Sequence, residues 1–233
     1  ISPILLCYVV GILLGNQGLI PIDKQLAFSL SEITIPIAIP LILFSTDFKR
    51  WLKLAPKTIL SFILVAISAI LSAVLAAILF SWVDEYWKIA GMLVGVYTGG
   101  TPNLMAIGLG LQVKEKTLIL TNTSDALMGG LYFLFLVTGA QWLIGKVLPP
   151  FSASLAEPAF AATEEEGSKK ELIDTDTMII TSTAGIFGPA FIGPVAERLK
   201  NREVIVPGLT CGLVGYAIGN YLGFAVAWLL TPR

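Results

Sequence analysis

The chain has 233 residues, with 15 Lys and Arg against 16 Asp and Glu, so 13% of it is charged where an ordinary soluble domain carries roughly 25%. A formal net charge of -1, the lack of a basic stripe and the absence of histidine argue against a nucleic-acid partner and close the imidazole routes to zinc, general base and pH switch. Uncharged runs at 1–22, 58–83, 89–113, 126–145, 177–196 and 204–232 meet or exceed the roughly 20 residues a helix needs to cross about 30 Å of hydrocarbon, too long and continuous for alternating barrel strands and too apolar for a soluble α/β enzyme of this size. The expectation is an all-α, multi-pass protein of the cytoplasmic (inner) membrane, with the lipid bilayer as its first partner.

A first apolar segment runs from about Pro3 to Gly15 and closes on GNQG; it lacks a basic n-region and a small-x-small motif, so it does not read as a cleavable signal. The second, LSEITIPIAIPLILFSTDFKR, starts near Ser31 and is kinked or opened by Pro36 and Pro40. The third, Pro56 to Phe80, carries Ser61, Ser68 and Ser72 with Ala69, Ala73, Ala76 and Ala77, small surfaces suited to close helix packing. In the fourth, Tyr86 to Leu111, Gly99, Gly100 and Pro102 predict a helix break between Thr98 and Asn103. The fifth, Lys116 to Leu148, holds Asp125, the one acid well inside an otherwise apolar run. After a hydrophilic linker at 149–173, the sixth segment, Thr177 to Leu199, is interrupted by Gly188-Pro189 and Gly193-Pro194, and the seventh runs from Val204 to Leu230. Cys7 and Cys211 each sit in an apolar run and read as small buried hydrophobes.

Segments four-five and six-seven share one plan, a broken helix, a charged turn and a long helix rich in small residues. A shift of 87 superposes Pro102 on Pro189 and Lys116 on Glu203. Paired interrupted helices are the best sequence pointer to a transporter's binding site. The domains expected are a first repeat at 1–148 with about five membrane segments, the linker at 149–173, and the final two segments of a second repeat at 174–233. A complete second repeat needs counterparts of segments one to three, so roughly one to two hundred residues are expected to be missing between Pro149 and Asp174. The positive-inside rule sets Lys49, Arg50, Lys53, Lys57, Lys114 and Lys116 in the cytoplasm and Asp23, Lys24, Asp84, Glu85 and Lys88 on the other side; Arg198, Lys200 and Arg202 conflict with an inverted repeat in that scheme.

At GVYTGGTPNLMAIG, NTSDALMGGLYFLFL, ITSTAGIFGPAF and VPGLTCGLVGYAIGNYLG the chain resembles the YjcL-like family of integral membrane proteins, a family of unknown function distantly similar to bile-acid:sodium symporters and sodium/proton antiporters. The resemblance covers nearly the whole chain. It implies an inverted-repeat transporter fold with discontinuous crossed helices and three or four further helices between Pro149 and Asp174. It supplies no substrate.

Asp125 is the strongest candidate residue, because a carboxylate in hydrocarbon costs several kcal/mol unless it faces a cation, water or the bundle interior. Its alternative role is to bind backbone opened at TGGTPN. Asn122, three residues earlier, shares its helical face, while Thr123 and Ser124 turn away. Thr98, Thr101 and Asn103 offer hard oxygens at the first break, and Ser182 and Thr183, with Gly188 and Pro189, play the same part at the second. A sodium site is expected at Asp125, Asn122, Thr101 and Asn103. Asn220 is either an interhelix hydrogen bond or a ligand, and Asp174 and Asp176 are placed to cap segment six. Together these features favour an ion-coupled secondary transporter, sodium- or proton-driven, for a small organic solute with an anionic head group. A channel or a non-transport membrane protein is the alternative; no GxGD or HExxH pattern is present and Ser124-Asp125 alone is no dyad, so an enzyme is not expected. No cofactor beyond a coupling sodium is expected, and a homodimer is admitted.

Overall fold

The computed structural model describes residues 48–151 and 173–232, with Val10, Leu13, Leu14 and Leu26; over 48–55 it describes the backbone alone. Most of segment one with Cys7, most of segment two with Pro36, Pro40 and Asp47, and nearly all of the linker lie outside the described residues. Among the described residues all regular structure is helical, and two helices contain stretches long and apolar enough to cross a membrane, Pro56–Leu79 and Ile205–Leu230. We number the helices α1 (Phe48–Leu79), α2 (Tyr86–Gly99), α3 (Thr101–Gly110), α4 (Glu115–Thr138), α5 (Ala140–Ile144), α6 (Thr175–Phe187), α7 (Ile192–Leu199) and α8 (Ile205–Leu230), with a 3-10 turn at Pro189–Phe191.

The two interrupted segments double back. Gly100 sits at φ 90°, a conformation that only glycine adopts cheaply, and it ends α2 and starts α3. Beyond it α3 returns along α2: a Cβ on Gly95 would strike Ile107, and one on Gly108 would touch Met92. The ends of the two legs are tied together, with Lys114 N donating to Glu85 Oε2 at 3.1 Å, Lys88 Nζ to Gln112 O at 3.1 Å, and Lys114 paired with Asp84. The α6–α7 segment repeats the plan around Gly188, at φ 69°; Asn201 Nδ2 donates to Asp176 Oδ2 at 2.9 Å across its open end. Gly193-Pro194 does not interrupt anything further, because Pro194 falls in the first turn of α7, where its missing donor would have no helical partner. These hairpins differ from the through-going broken helices expected from the sequence. Gly and Pro mark a corner but do not say how sharply the chain turns.

Position 100 corresponds to 188, and Gln112, at φ 50°, to Lys200, at φ 55°; both separations are 88, from 188 minus 100 and 200 minus 112. The shift of 87 aligned the prolines, whereas the left-handed corners are the equivalent points.

The hairpins enter from opposite ends of α1. Its N-terminal half packs on α6, where Ser61 Oγ and Thr181 Oγ1 are 2.7 Å apart, and its C-terminal half supplies Ala73 and Ala77 to a cluster with Ala90, Val94 and Val226. The tips meet midway: a Cβ on Gly100 would lie 3.3 Å from the Phe187 carbonyl carbon. Helix α8 runs past both hairpins with Gly208, Gly212, Gly215, Gly219 and Gly223 on one buried face. A side chain there would collide with Ile180 and Ile192, Pro189, Thr98 O, Asn103 and Gly91 O in turn, so this face lets hairpin backbone lie directly on helix backbone. Non-helical backbone at the tips is tolerated because it is covered by protein and bonded, Gly100 N to Val96 O at 2.7 Å and Gly188 N to Ala184 O at 3.0 Å.

The linker's flanks also meet. Thr175 N donates to Pro149 O at 2.9 Å, so the chain leaves and re-enters the bundle at one place.

Candidate functional site

Helix α4 lies across both hairpins. On its first half Thr117, Thr121, Ser124, Asp125 and Met128 form one stripe, at helical spacings of four, three, one and three, facing α2. Between this stripe and Ile89, Leu93 and Tyr97 runs a groove of about 510 Å³, with Asp84, Lys114 and Lys116 at its outer end. Asp125 is 9% exposed and stands beside Tyr97 in the lining of this groove. Thr121 Oγ1 donates to Thr117 O at 2.8 Å, which leaves its oxygen lone pairs free toward the groove. Tyr97 and Met128 also line a second cavity, about 340 Å³, against Ser68, Ser72 and Tyr132, so these two side chains stand between the cavities. Two turns beyond Asp125, Tyr132 donates to Ser182 Oγ at 3.2 Å. Helix α4 thus faces the first hairpin across the groove and bonds to the first leg of the second.

Electrostatics at the outer end are organised around Glu85, whose side chain is 7% exposed. Burial works to raise its pKa, but hydrogen bonds from Lys88, Thr117 and the Lys114 backbone outweigh this and hold the carboxyl below the usual glutamate value. Lys114 is held above the ordinary lysine value by its hydrogen bond to Asp84.

The residues expected at an ion site divide between two faces of the first hairpin. Thr98 is fully buried, donates to Val94 O at 2.7 Å, and faces Gly219 of α8. Asn103, 3% exposed, donates to Gly215 O at 3.2 Å on that same side. Thr101 is exposed, and Asn122 is half-buried outside the groove lining, whereas Ser124 lines it. Asp125 is therefore not brought together with Asn103, because α2 stands between its α4 and α8 faces; Thr101 points out of the fold, and Asn122, on α4 itself, is not part of the groove lining. Ser182 and Thr183 both donate to Ile179 O, at 2.9 and 2.8 Å; Ser182 alone reaches another helix. Asn220 Oδ1 is buried with no hydrogen-bond partner. Asp174 caps α6, accepting from Thr177 N at 2.9 Å, while Asp176 receives Gln141 and Asn201.

Tyr97 is the residue that sequence reasoning missed. It precedes Thr98 in VYTGGTPN and lies about 100° around the helix from it, so attention to the hydroxyls at the break selected the opposite face. The stripe from Thr117 to Met128 was open to a search for polar residues at helical spacing.

A helical bundle with two helices long and apolar enough to cross a membrane, two hairpins packed tip to tip and a buried acid in a groove fits a protein associated with a membrane. The chain belongs to the family described as protein of unknown function (DUF819), whose model matches residues 1–184. It is 23% identical over 139 residues to the uncharacterized membrane protein YjcL of Bacillus subtilis (strain 168), covering 58% of this chain and 35% of that protein. The match thus spans about a third of the relative's length. No solved structure matches.

Proposed function

We propose that the chain forms the core of a secondary transporter, in which a small anionic organic solute moves in step with an ion held at Asp125. The observation that supports this most is the meeting of two hairpins, entering from opposite ends, at Gly100 and Gly188 beside a groove that contains the one acid deep in an apolar helix. Two units with corners 88 residues apart and opposite directions of entry suit an inverted repeat, and such repeats place solute and ion at their interface. The uncapped N-terminus of α3 begins at that interface and favours an anionic head group. Buried carboxylate next to a phenol, with no cation in contact among the described residues, favours a group that exchanges an ion during the cycle.

The test is flux through the full-length protein in proteoliposomes, with candidate solutes chosen by a thermal-shift screen of metabolites. Saturable uptake driven by a sodium or proton gradient supports the carrier, and non-saturating current supports a pore. Asp125→Asn keeps the shape and removes the charge. If it retains wild-type dependence on both gradients, Asp125 is structural and the ion site lies elsewhere.

A further inference from the structure

The two ends of the bundle differ in charge. One end holds the start of α1 with Lys49, Arg50, Lys53 and Lys57, the end of α5 with Lys146, and the open end of the α6–α7 hairpin with Arg198, Lys200 and Arg202. These elements are joined in space: Thr58 O receives the Cys211 thiol, Thr175 meets Leu148 and Pro149, and Arg198 Nε donates to Val137 O at 2.6 Å. The opposite end holds the 80–85 turn, the 111–114 turn and the end of α8, with Lys88, Lys114 and Lys116 beside Asp84, Glu85 and Glu115.

The hairpin geometry brings this about. Had Tyr86–Leu111 crossed the bundle, Lys114 and Lys116 would share an end with Lys49 to Lys57 and the last turn would stand opposed. Because the segment returns, Lys114 joins Asp84, and Arg198, Lys200 and Arg202 join the start of α1. Among the described residues, eight cationic residues against Asp174, Asp176, Glu197 and Glu203 then mark one end, and three against Asp84, Glu85 and Glu115 the other; since the rule counts Lys and Arg, its conflict disappears. Tryptophan marks both ends: Trp51 and Trp142 on the basic one, Trp82, Trp87 and Trp228 on the other, as expected where helices meet the two membrane interfaces.

We infer that the basic end faces the cytoplasm and that the groove over Asp125, whose outer end is formed by Asp84, Lys114 and Lys116, is a water-filled vestibule open to the extracytoplasmic side. Water and small ions reach Asp125 from that side, and Tyr97 and Met128 close the inner end. This identifies the entrance of the site proposed above, and it rests on that reading only for the use made of the ion.

The inference is tested by thiol accessibility in the full-length protein, with Cys7 and Cys211 replaced by Ala and one new cysteine at a time: Lys116→Cys at the mouth, Ser124→Cys beside Asp125, and Arg202→Cys at the basic end. All three positions are exposed, so the exchanges are compatible with folding. A charged, membrane-impermeant methanethiosulfonate is applied to right-side-out and inverted vesicles. Lys116→Cys and Ser124→Cys should react at least about tenfold faster in right-side-out vesicles and Arg202→Cys at least about tenfold faster in inverted ones. Modification of Ser124→Cys only in inverted vesicles, or in neither, overturns the vestibule; Lys116→Cys and Arg202→Cys reacting from one side overturns the orientation. Labelling as expected with no gradient-driven flux keeps this inference and removes the transporter reading, whereas flux with reversed labelling does the opposite.

Discussion

At the open end of the α2–α3 hairpin the legs are held by charge: Glu85 accepts from Lys88 at 2.8 Å and from the Lys114 backbone, and Asp84 pairs with Lys114. At the open end of the α6–α7 hairpin the same task falls to neutral amides, Gln141 and Asn201, on Asp176, which is 6% exposed. The tips differ as well. The first presents Thr98 and Asn103 to glycine backbone, while the second is wrapped in rings, with Phe187 and Phe191 4.9 Å apart and Phe133 5.2 Å from Phe191. Nearly every residue of α6 is buried, in a cluster that also takes in Leu136, Ile192 and Leu209. One backbone plan thus serves two ends: the second hairpin is fixed by packing, and the first borders a groove that its tyrosine shares with a buried acid.

The largest effect should come from the surface both hairpins share. Gly215→Val places side-chain atoms where Thr98 O lies, with backbone on both sides unable to withdraw, so a loss of about 3–5 kcal/mol or failure to fold is expected. Gly193→Ala, where an added Cβ meets nothing within 4 Å, should leave the unfolding midpoint in detergent nearly unchanged. Equal losses at both positions would show that glycine content, rather than close approach to α8, matters.

Asp176→Ala should follow, because it leaves the Gln141 and Asn201 amides without their acceptor at a buried end; about 2–3 kcal/mol is expected from thermal unfolding. Glu85→Gln, in the more exposed and charge-rich clamp, should lose about 1–2 kcal/mol at neutral pH. Its pH dependence has a definite sign. A folded pKa below the ordinary 4.5 means that ionised Glu85 stabilises fully above that value and that this contribution fades as pH falls through the lower folded pKa. Wild type and Glu85→Gln should therefore converge in stability below pH 4.5, and curves that stay parallel would remove Glu85 from the clamp. The smallest change, Tyr132→Phe, deletes a 3.2 Å bond to Ser182 that is only part-buried, for about 0.5–1 kcal/mol.

Much of the architecture is legible along the chain. The α8 boundaries follow from an uncharged run, and the corner at Gly100 falls within TGGTPN because Gly tolerates φ 90° and Pro102 suits the first turn of a new helix. The small residues of segment three do become contacts, Ser61 on Thr181 and Ala73 and Ala77 in a buried cluster. The long fifth segment instead divides at Gly139 into α4 and α5, a boundary that its continuous apolar composition does not mark.

What the sequence determines by itself is the solvent of each segment and the points at which helix is costly, since both follow from the local chemistry of one or a few residues: hydropathy, the missing proline donor, the absent glycine Cβ. Tertiary structure decides whether a corner passes the chain onward or turns it back, because that depends on what the second leg packs against: Gly95 on Ile107, and Glu85 reaching Lys114, 29 residues away. The same decision sorts Tyr97 to the Asp125 groove and Thr98 to α8, and it sets Lys114 and Lys116 at one end of the molecule and Arg198, Lys200 and Arg202 at the other. Neighbours in sequence become residents of different sites because a helix turns about 100° per residue while its partners are supplied from far along the chain.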